Sequence, residues 1–145
     1  REGEAFYEPV GPRILRFDNA SATEEAIFID FNLQQKDEPF IVFEKELTEH
    51  IDRRTLPTAN LAGTSLQQAD IYVTEMAPEG RKLLTANGPV LAYVAEGTVK
   101  VSSPLGKSKR YTAGESFSLV EGETTATVIN TSKALSAKVI AFHLR

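Results

Sequence analysis

Few residues in this chain could do acid–base or metal chemistry. The sequence contains two histidines and no cysteine, which excludes disulfides, thiol nucleophiles and cysteine-ligated zinc or iron–sulfur sites. His143 lies in an apolar, β-branched segment at 138–144. If its ring points inward, it could serve as an acid–base group or bind a ligand, because imidazole titrates near neutral pH. An exposed or hydrogen-bonded strand histidine is the commoner case, and its orientation is open from the sequence.

The second histidine, His50, follows Glu46 at helical spacing. A carboxylate and an imidazole one helical turn apart could share a metal, but a metal site needs three or four ligands. The charges around this pair alternate in sign, which favours a solvated helix face. We therefore predict no metal site from these two residues.

The elements that would position His143 are short β-strands. From residue 69 onward, runs of β-branched and aromatic residues alternate with turn residues every 8–12 positions, which indicates a sandwich or barrel. Strands are predicted at 71–74, 90–95, 98–102, 117–120, 124–129 and 138–144, with 109–111 leading into the fourth of these. The turn at Glu96-Gly97 predicts that the strands on either side of it form a hairpin.

The N-terminal half carries weaker signals. Strands are predicted at 13–17, 26–31 and 39–43, and a short helix at 44–54 with Leu47 and Ile51 facing inward. We predict one domain over residues 1–145, with the N-terminal strands and helix in 1–69 and a β core in 70–145.

Two stretches of the β core resemble the conserved motifs of small cupins. Residues 85–99, TANGPVLAYVAEGTV, resemble the first motif, and 113–117, AGESF, followed by VEG at 120–122, resemble the second. The resemblance covers about residues 70–145 and implies an all-β cupin-type β-barrel or jelly roll with extra N-terminal strands. The one short helix of the predicted fold comes from the pattern at 44–54. The resemblance also implies a homodimer, for which the strands at 26–31 and 39–43 are the candidate contacts.

The resemblance also places the positions where metal cupins keep their ligands. The first motif's two histidines would fall on Leu84 and Ala86, its glutamate on Val90, and the second motif's histidine on Thr125. None of these is a ligand that iron, manganese, nickel or zinc prefers. Apolar groups there would strip water from an ion without replacing it. We therefore predict a cupin without a metal or other cofactor.

Strand alternation places Val90, Ala92 and Val94 on one face of their strand, and Thr125, Thr127 and Ile129 on one face of a later strand. The cupin resemblance implies that these two faces line the barrel interior. Their side chains are small and mostly apolar, which is compatible either with a filled core or with a cavity for a small, mostly apolar ligand. The candidate pocket residues are Leu84, Ala86, Val90, Ala92, Thr125 and Thr127.

Three functions stay open at this point. The first is a metal-free small-molecule-binding or sensory module without catalysis. The second is a metal-independent isomerase, lyase or epimerase in which His143 and a tyrosine such as Tyr93 transfer protons. The third is a structural or interaction protein with a solidly packed barrel.

Composition limits the partners. The net charge of −4 disfavours a general nucleic-acid binder, and no apolar run approaches the length of a membrane span. The expected partner is a small organic ligand that the sequence does not identify. Because the chain starts at Arg1, removal of a targeting segment is compatible with the sequence, and no compartment is predicted.

Overall fold

A computed structural model describes residues 3–8, 11, 18–33, 37, 65–104, 106–119 and 125–145. The chain groups into two compact units, Arg1–Arg53 and Arg54–Arg145. The single domain predicted over residues 1–145 stays a prediction. No helix in the described ranges is long and apolar enough to cross a membrane.

The second unit consists of eight β-strands. They are β1 (Ala69–Met76), β2 (Arg81–Thr85), β3 (Val90–Glu96), β4 (Thr98–Ser102), β5 (Ser108–Thr112), β6 (Ser116–Leu119), β7 (Thr125–Asn130) and β8 (Ala137–Leu144). They form two antiparallel four-stranded sheets, in the orders β1-β8-β3-β6 and β2-β7-β4-β5. Strands that follow one another in the chain thus alternate between sheets, except at β4–β5, which is the arrangement of a jelly roll. The predicted all-β jelly roll is confirmed.

The core lies between the two sheets. Side chains of β3 alternate between buried and partly exposed, as the period of a strand requires. In β8 the same alternation runs from Ala137 to Ala141, after which Phe142 and Leu144 are also buried. Val90, Ala92 and Val94 are essentially inaccessible to solvent, which confirms their predicted inward face. They pack in one cluster with Val99 and Val101 of β4 and with side chains of β6, β7 and β8.

The predicted β3–β4 hairpin is wrong. β3 pairs with β6 and β8, whereas β4 pairs with β5 and β7 in the other sheet. Gly97 turns the chain from one sheet to the other with a φ of 76°. A Cβ at this position would stand 2.8 Å from the carbonyl oxygen of Ser136. A glycine is needed here for both reasons.

The inward face of β7 also differs from the prediction. Ala126, Val128 and Asn130 are buried, whereas Thr125, Thr127 and Ile129 lie on the partly exposed face. The predicted face was displaced by one residue, which moves every side chain of a strand to the opposite side. The core therefore receives two apolar side chains and one amide from this strand.

The remaining differences concern the polar and N-terminal segments. β2 was not predicted from the sequence. The predicted strand at 26–31 is wrong, because these residues form no strand. They therefore no longer provide the edge strand that was predicted as a dimer contact. The predicted strands at 13–17 and 39–43 and the helix at 44–54 lie outside the described residues.

In the first unit, a turn at residues 19–24 is held by local hydrogen bonds. The backbone amide of Ser21 donates to the Asn19 side chain at 3.0 Å, and the amide of Glu24 donates to Ser21 Oγ at 3.0 Å. Short polar side chains commonly stabilise turns in this way.

Candidate functional site

The candidate site lies where the two sheets remain apart. β1 and β2 each lie at one edge of their sheet, and each pairs with only one strand in the described part of the chain. Between them lies a solvent-accessible cavity of about 500 Å³, which we call the edge cavity. Its lining residues are Tyr72, Val73, Thr74, Met76, Lys82, Leu83, Leu84, Thr85, Val128, Val139, Ala141 and His143.

Strand register explains how these side chains converge. Tyr72 and Thr74 of β1 stand opposite Ala141 and Val139 of β8. Residues directly opposite each other in a sheet point to the same side. Because Val139 and Ala141 belong to the core, Tyr72 and Thr74 also point between the sheets.

The facing wall is built in the same way. Lys82 of β2 stands opposite Val128, and Leu84 stands opposite Ala126. Both partners on β7 are core residues. The apolar floor of the edge cavity is therefore the exposed margin of the hydrophobic core, and its polar groups sit on the two edge strands and at His143.

A smaller cavity of about 170 Å³, the end cavity, adjoins the edge cavity. The two share Tyr72, Thr85 and His143. The other residues that line the end cavity are Asp70, Ala86, Asn87, Leu144 and Arg145. His143 thus stands between an apolar space and a polar one.

His143 points inward, which answers the orientation that the sequence left open. It pairs with Asp70 on β1 and with Val90 on β3. Its ring meets the ring of Tyr72 edge-on, with centroids 4.7 Å apart and an interplanar angle of 62°. Edge-to-face contact is a favourable geometry for aromatic pairs.

Burial lowers the pKa of His143 below its ordinary value, and the nearby carboxylate of Asp70 opposes this effect only in part. The imidazole is therefore neutral at neutral pH and presents one nitrogen donor and one nitrogen acceptor. A group of this kind can bind a hydroxyl or carbonyl of a ligand, and it can also accept a proton.

Asp70 is itself held by two neighbours. Its carboxylate accepts a hydrogen bond from Gln68 Nε2 at 2.8 Å and forms an ion pair with Arg145 Nη2 at 2.9 Å. The backbone of Arg145 is bonded to the same segment, with its amide donating to the carbonyl of Gln68 at 2.9 Å. The charges of the end cavity are thus mutually compensated.

The predicted pocket residues divide into three groups. Leu84 lines the edge cavity, and Ala86 lines the end cavity. Val90 and Ala92 lie in the filled core and contribute to neither cavity. Thr125 and Thr127 lie on the opposite face of β7 from the core, because the inward face of that strand was misplaced by one residue.

The structure does not bring Tyr93 and His143 together. Tyr93 alternates with the buried residues Ala92 and Val94 and pairs with Ile140. His143 follows Ile140 by three positions on β8 and therefore points to the other side of the sheet. The tyrosine beside His143 is Tyr72.

Sequence reasoning missed Tyr72, Lys82, Thr85 and Asp70 as site residues. Tyr72, Thr74 and Met76 alternate along β1, and this period-two pattern could have shown that they share a face with one another. Nothing local in Arg81–Thr85 marks a cavity wall, because the segment is short and its first residues are charged.

The positions at which the cupin resemblance places metal ligands do not fit a transition metal in the described part of this chain. The three first-motif positions, Leu84, Ala86 and Val90, carry no donor atom, and the buried residues of β7 near Thr125 are Ala126 and Val128. Among the residues described, no three His, Cys, Asp or Glu side chains come together. His50 lies outside the described residues. His143 and Asp70 provide too few ligands for a protein-held transition-metal site.

Comparison with known proteins gives similarity in fold. No protein-family model and no curated protein sequence matches this chain. A cupin-superfamily sugar phosphate isomerase from Silicibacter pomeroyi is similar at 14% identity and a TM-score of 0.46, over 55% of this chain and 52% of that one. A cupin domain from Bordetella pertussis is similar at 15% identity and a TM-score of 0.45, over 57% of this chain and 88% of that one.

A cupin domain of an XRE-family transcriptional regulator from Enterobacter cloacae is similar at 13% identity and a TM-score of 0.44, over 51% of this chain and 78% of that one. The described strands form a two-sheet jelly roll, and these cupin structures are what it is similar to in fold. The matched region spans about half the length of the isomerase.

Proposed function

We propose that this cupin binds a small, mostly apolar organic ligand in the edge cavity and acts as a binding or sensory module without catalysis. The observation that carries the proposal is the edge cavity itself. Its volume of about 500 Å³ lies within the range of small-molecule sites, which are concave, largely apolar and furnished with a few polar groups.

The walls of the edge cavity support this reading. Val128, Val139 and Ala141 provide apolar surface continuous with the core, and Tyr72 and His143 provide polar atoms at one end. An apolar ligand body would remove this surface from water at a gain of about 25 cal/mol per Å². The polar end would orient the ligand.

We further propose that binding does not require a metal. Leu84, Ala86 and Val90 occupy the positions of the first cupin motif where metal ligands would stand. A divalent ion among these side chains would lose hydration without gaining donors. Of the three, Leu84 lines the edge cavity, where its apolar side chain suits an apolar ligand.

The test is a fragment titration followed by ¹⁵N-resolved nuclear magnetic resonance. Neutral, anionic and cationic aromatic fragments are added to wild type and to Thr74→Trp, in which a half-buried edge-strand side chain that lines the edge cavity is enlarged. Ile71→Trp places the same residue on the outward face of the same strand and is the matched control.

The expected result is that some fragments shift amides around the edge cavity in wild type and Ile71→Trp but not in Thr74→Trp. If no fragment of any charge shifts those amides, or if Thr74→Trp binds as wild type does, the proposed function is wrong.

A second candidate is a metal-independent isomerase, lyase or epimerase. The observation that favours it is the contact between His143 and Tyr72, with ring centroids 4.7 Å apart in the wall of the edge cavity. A neutral imidazole could remove a proton next to a ligand carbonyl, and a phenol could return one. The two proton-transfer residues of this candidate are therefore His143 and Tyr72, whereas the pair predicted from the sequence is His143 and Tyr93.

This candidate predicts deuterium incorporation. Carbonyl fragments that bind the edge cavity are incubated in D₂O with wild type, His143→Asn and Tyr72→Phe, and the protons next to the carbonyl are followed. Exchange faster with wild type than with both variants would support the enzyme. Exchange at the buffer rate in all samples would leave the binding module as the function.

The third candidate, a solidly packed barrel with a structural role, is disfavoured by the edge cavity. The homodimer implied by the cupin resemblance stays a prediction, and we propose the edge strands β1 and β2 as the place where a second copy would pair. Light scattering coupled to size exclusion would measure it directly.

A further inference from the structure

We infer that the ligand of the edge cavity is an organic monocarboxylate, whose carboxylate faces Lys82 and whose other end carries a hydroxyl or carbonyl that faces His143. This inference rests on the proposed function, because it names the class of molecule that the same cavity takes. It is argued from the charges and spacing of the cavity walls.

Among the described residues that line the edge cavity, one side chain is charged. Lys82 contributes an ammonium group, and none of the other lining residues is Asp, Glu or Arg. Lys82 shares its side of β2 with Leu84, because both stand opposite core residues of β7. The cavity thus joins an apolar floor to a single positive charge, which is complementary to an amphipathic anion.

Lys82 and His143 lie at opposite ends of this cavity. Thr85 lines both cavities together with His143, whereas Lys82 precedes Thr85 by three residues on an extended strand. That separation corresponds to about 10 Å along β2. Lys82 lies beside the β1–β2 turn, at the Met76 end of the cavity. A ligand that reaches both groups needs a body about as long as two fused aromatic rings.

The end cavity does not offer a competing anion site. Its positive group, Arg145, is ion-paired with Asp70 at 2.9 Å. The two charges cancel, and a ligand anion placed there would face the carboxylate of Asp70 as well as the guanidinium. The anionic end of the ligand is therefore assigned to Lys82.

A carboxylate fits Lys82 better than a phosphate monoester does. One ammonium group can balance a single negative charge, whereas a phosphate carries nearly two at neutral pH and is commonly met by arginine forks or several donors. At the other end, the neutral ring of His143 can donate to a carbonyl or accept from a hydroxyl.

The test compares probes that differ at one group. The probe is 6-hydroxy-2-naphthoate, and its comparisons are 6-hydroxy-2-naphthamide, which is neutral, and 2-naphthyl phosphate. Affinities are measured by calorimetry for wild type, for Lys82→Met, which keeps much of the apolar stem, and for Lys100→Met. Lys100 is an exposed residue of β4 on the face away from the core, and its substitution changes the net charge equally.

We expect the naphthoate to bind wild type about fivefold more tightly than the amide does, as one partly exposed ion pair allows. Lys82→Met should remove this preference, and Lys100→Met should retain it. Equal affinities for the naphthoate and the amide in wild type, an unchanged preference in Lys82→Met, or tighter binding of the phosphate would overturn the inference.

These outcomes separate the inference from the proposed function. If neutral fragments bind in a manner that Thr74→Trp abolishes while the naphthoate shows no advantage, only the carboxylate inference is wrong. If neither the naphthoate nor any neutral fragment shifts amides of the edge cavity, both are wrong.

Discussion

The rings of His143 and Tyr72 make an edge-to-face contact, with centroids 4.7 Å apart, across the β1–β8 strand pair. Tyr72 stands opposite Ala141, two residues before His143 on β8, so the two rings are diagonal neighbours on one face of the sheet. This contact places a neutral imidazole at the junction of the edge and end cavities. Burial of this imidazole lowers its pKa, which connects the stability of the protein to pH.

The first prediction concerns this pH dependence. Because burial lowers the pKa of His143 in the folded protein, the unfolded chain binds more protons in the window between the lowered value and the ordinary one of about 6.5. Stability should therefore fall as pH falls through that window, and His143 should contribute nothing at higher pH. We expect the melting temperature of wild type to drop more between pH 7.5 and pH 5 than that of His143→Asn.

The control for this experiment is His50→Asn, which removes the other histidine of the sequence and should retain the pH dependence of wild type. The same slope in wild type and His143→Asn would show that the imidazole is not desolvated as the structure places it.

The second prediction concerns Asn130, the buried amide at the end of β7. Its Nδ2 donates to the carbonyls of Met76, Ala77 and Leu135 at 3.2, 3.0 and 2.8 Å, and its Oδ1 accepts from the amide of Ser132 at 3.0 Å. Asn130→Ala leaves these groups without their partner, so we expect a loss of about 2 to 4 kcal/mol in the free energy of unfolding. Urea denaturation followed by circular dichroism would measure it.

Asn87→Ala removes an amide from an exposed position and should stay within about 0.5 kcal/mol of wild type. A loss at Asn130 no greater than that at Asn87 would mean that the bonds of Asn130 do not hold the turn between β1 and β2.

The third prediction separates backbone strain from steric conflict at two glycines. Gly97 and Gly106 have nearly the same φ, 76° and 80°. A Cβ at Gly106 meets nothing within 4 Å, whereas one at Gly97 would stand 2.8 Å from the Ser136 carbonyl oxygen. Gly106→Ala should cost about 1 to 2 kcal/mol from conformation alone, and Gly97→Ala should cost more.

The measurement is again urea unfolding of the two variants, and the difference between them is the cost of the conflict with Ser136. Equal losses would contradict the close passage of the β3–β4 connection against residues 136–137.

The fourth prediction concerns metal. Since Leu84, Ala86 and Val90 provide no donor atoms, protein purified without chelator should contain less than about a tenth of an equivalent of transition metal. Added iron, manganese, nickel or zinc should leave the melting temperature unchanged, because only a ligand of the folded state raises it. Stoichiometric metal by elemental analysis, with a rise in melting temperature, would contradict the metal-free proposal.

Part of the fold was predictable because it depends on local patterns. Alternating apolar residues predicted β3, β4 and β8 closely, and β3 faces the core with the residues expected, because successive side chains of a strand point to opposite sides. β2 was not predicted, because its sequence lacks the alternating apolar pattern of β3, β4 and β8. Edge strands tolerate charged residues such as Arg81 and Lys82, so the apolar pattern that marks a strand is weak there.

Two predictions were wrong because local sequence patterns do not determine them: the β3–β4 hairpin and the inward face of β7. The turn at Gly97 has the residues of a hairpin, yet the chain crosses there to the other sheet, and nothing near the turn distinguishes these outcomes. In β7, threonine and alanine are small enough for either face. Its inward side was decided by pairing with β2 and β4, which are distant in sequence.

The sequence by itself determined the class of the fold, the inward face of β3, and the absence of donor atoms at the metal positions of the first cupin motif, because these follow from residue type and the period of a strand. The tertiary structure alone decided the site. Tyr72, Lys82 and His143 come from three strands, and they line one cavity only because the register of β1 with β8 and of β2 with β7 turns them toward the space between the sheets.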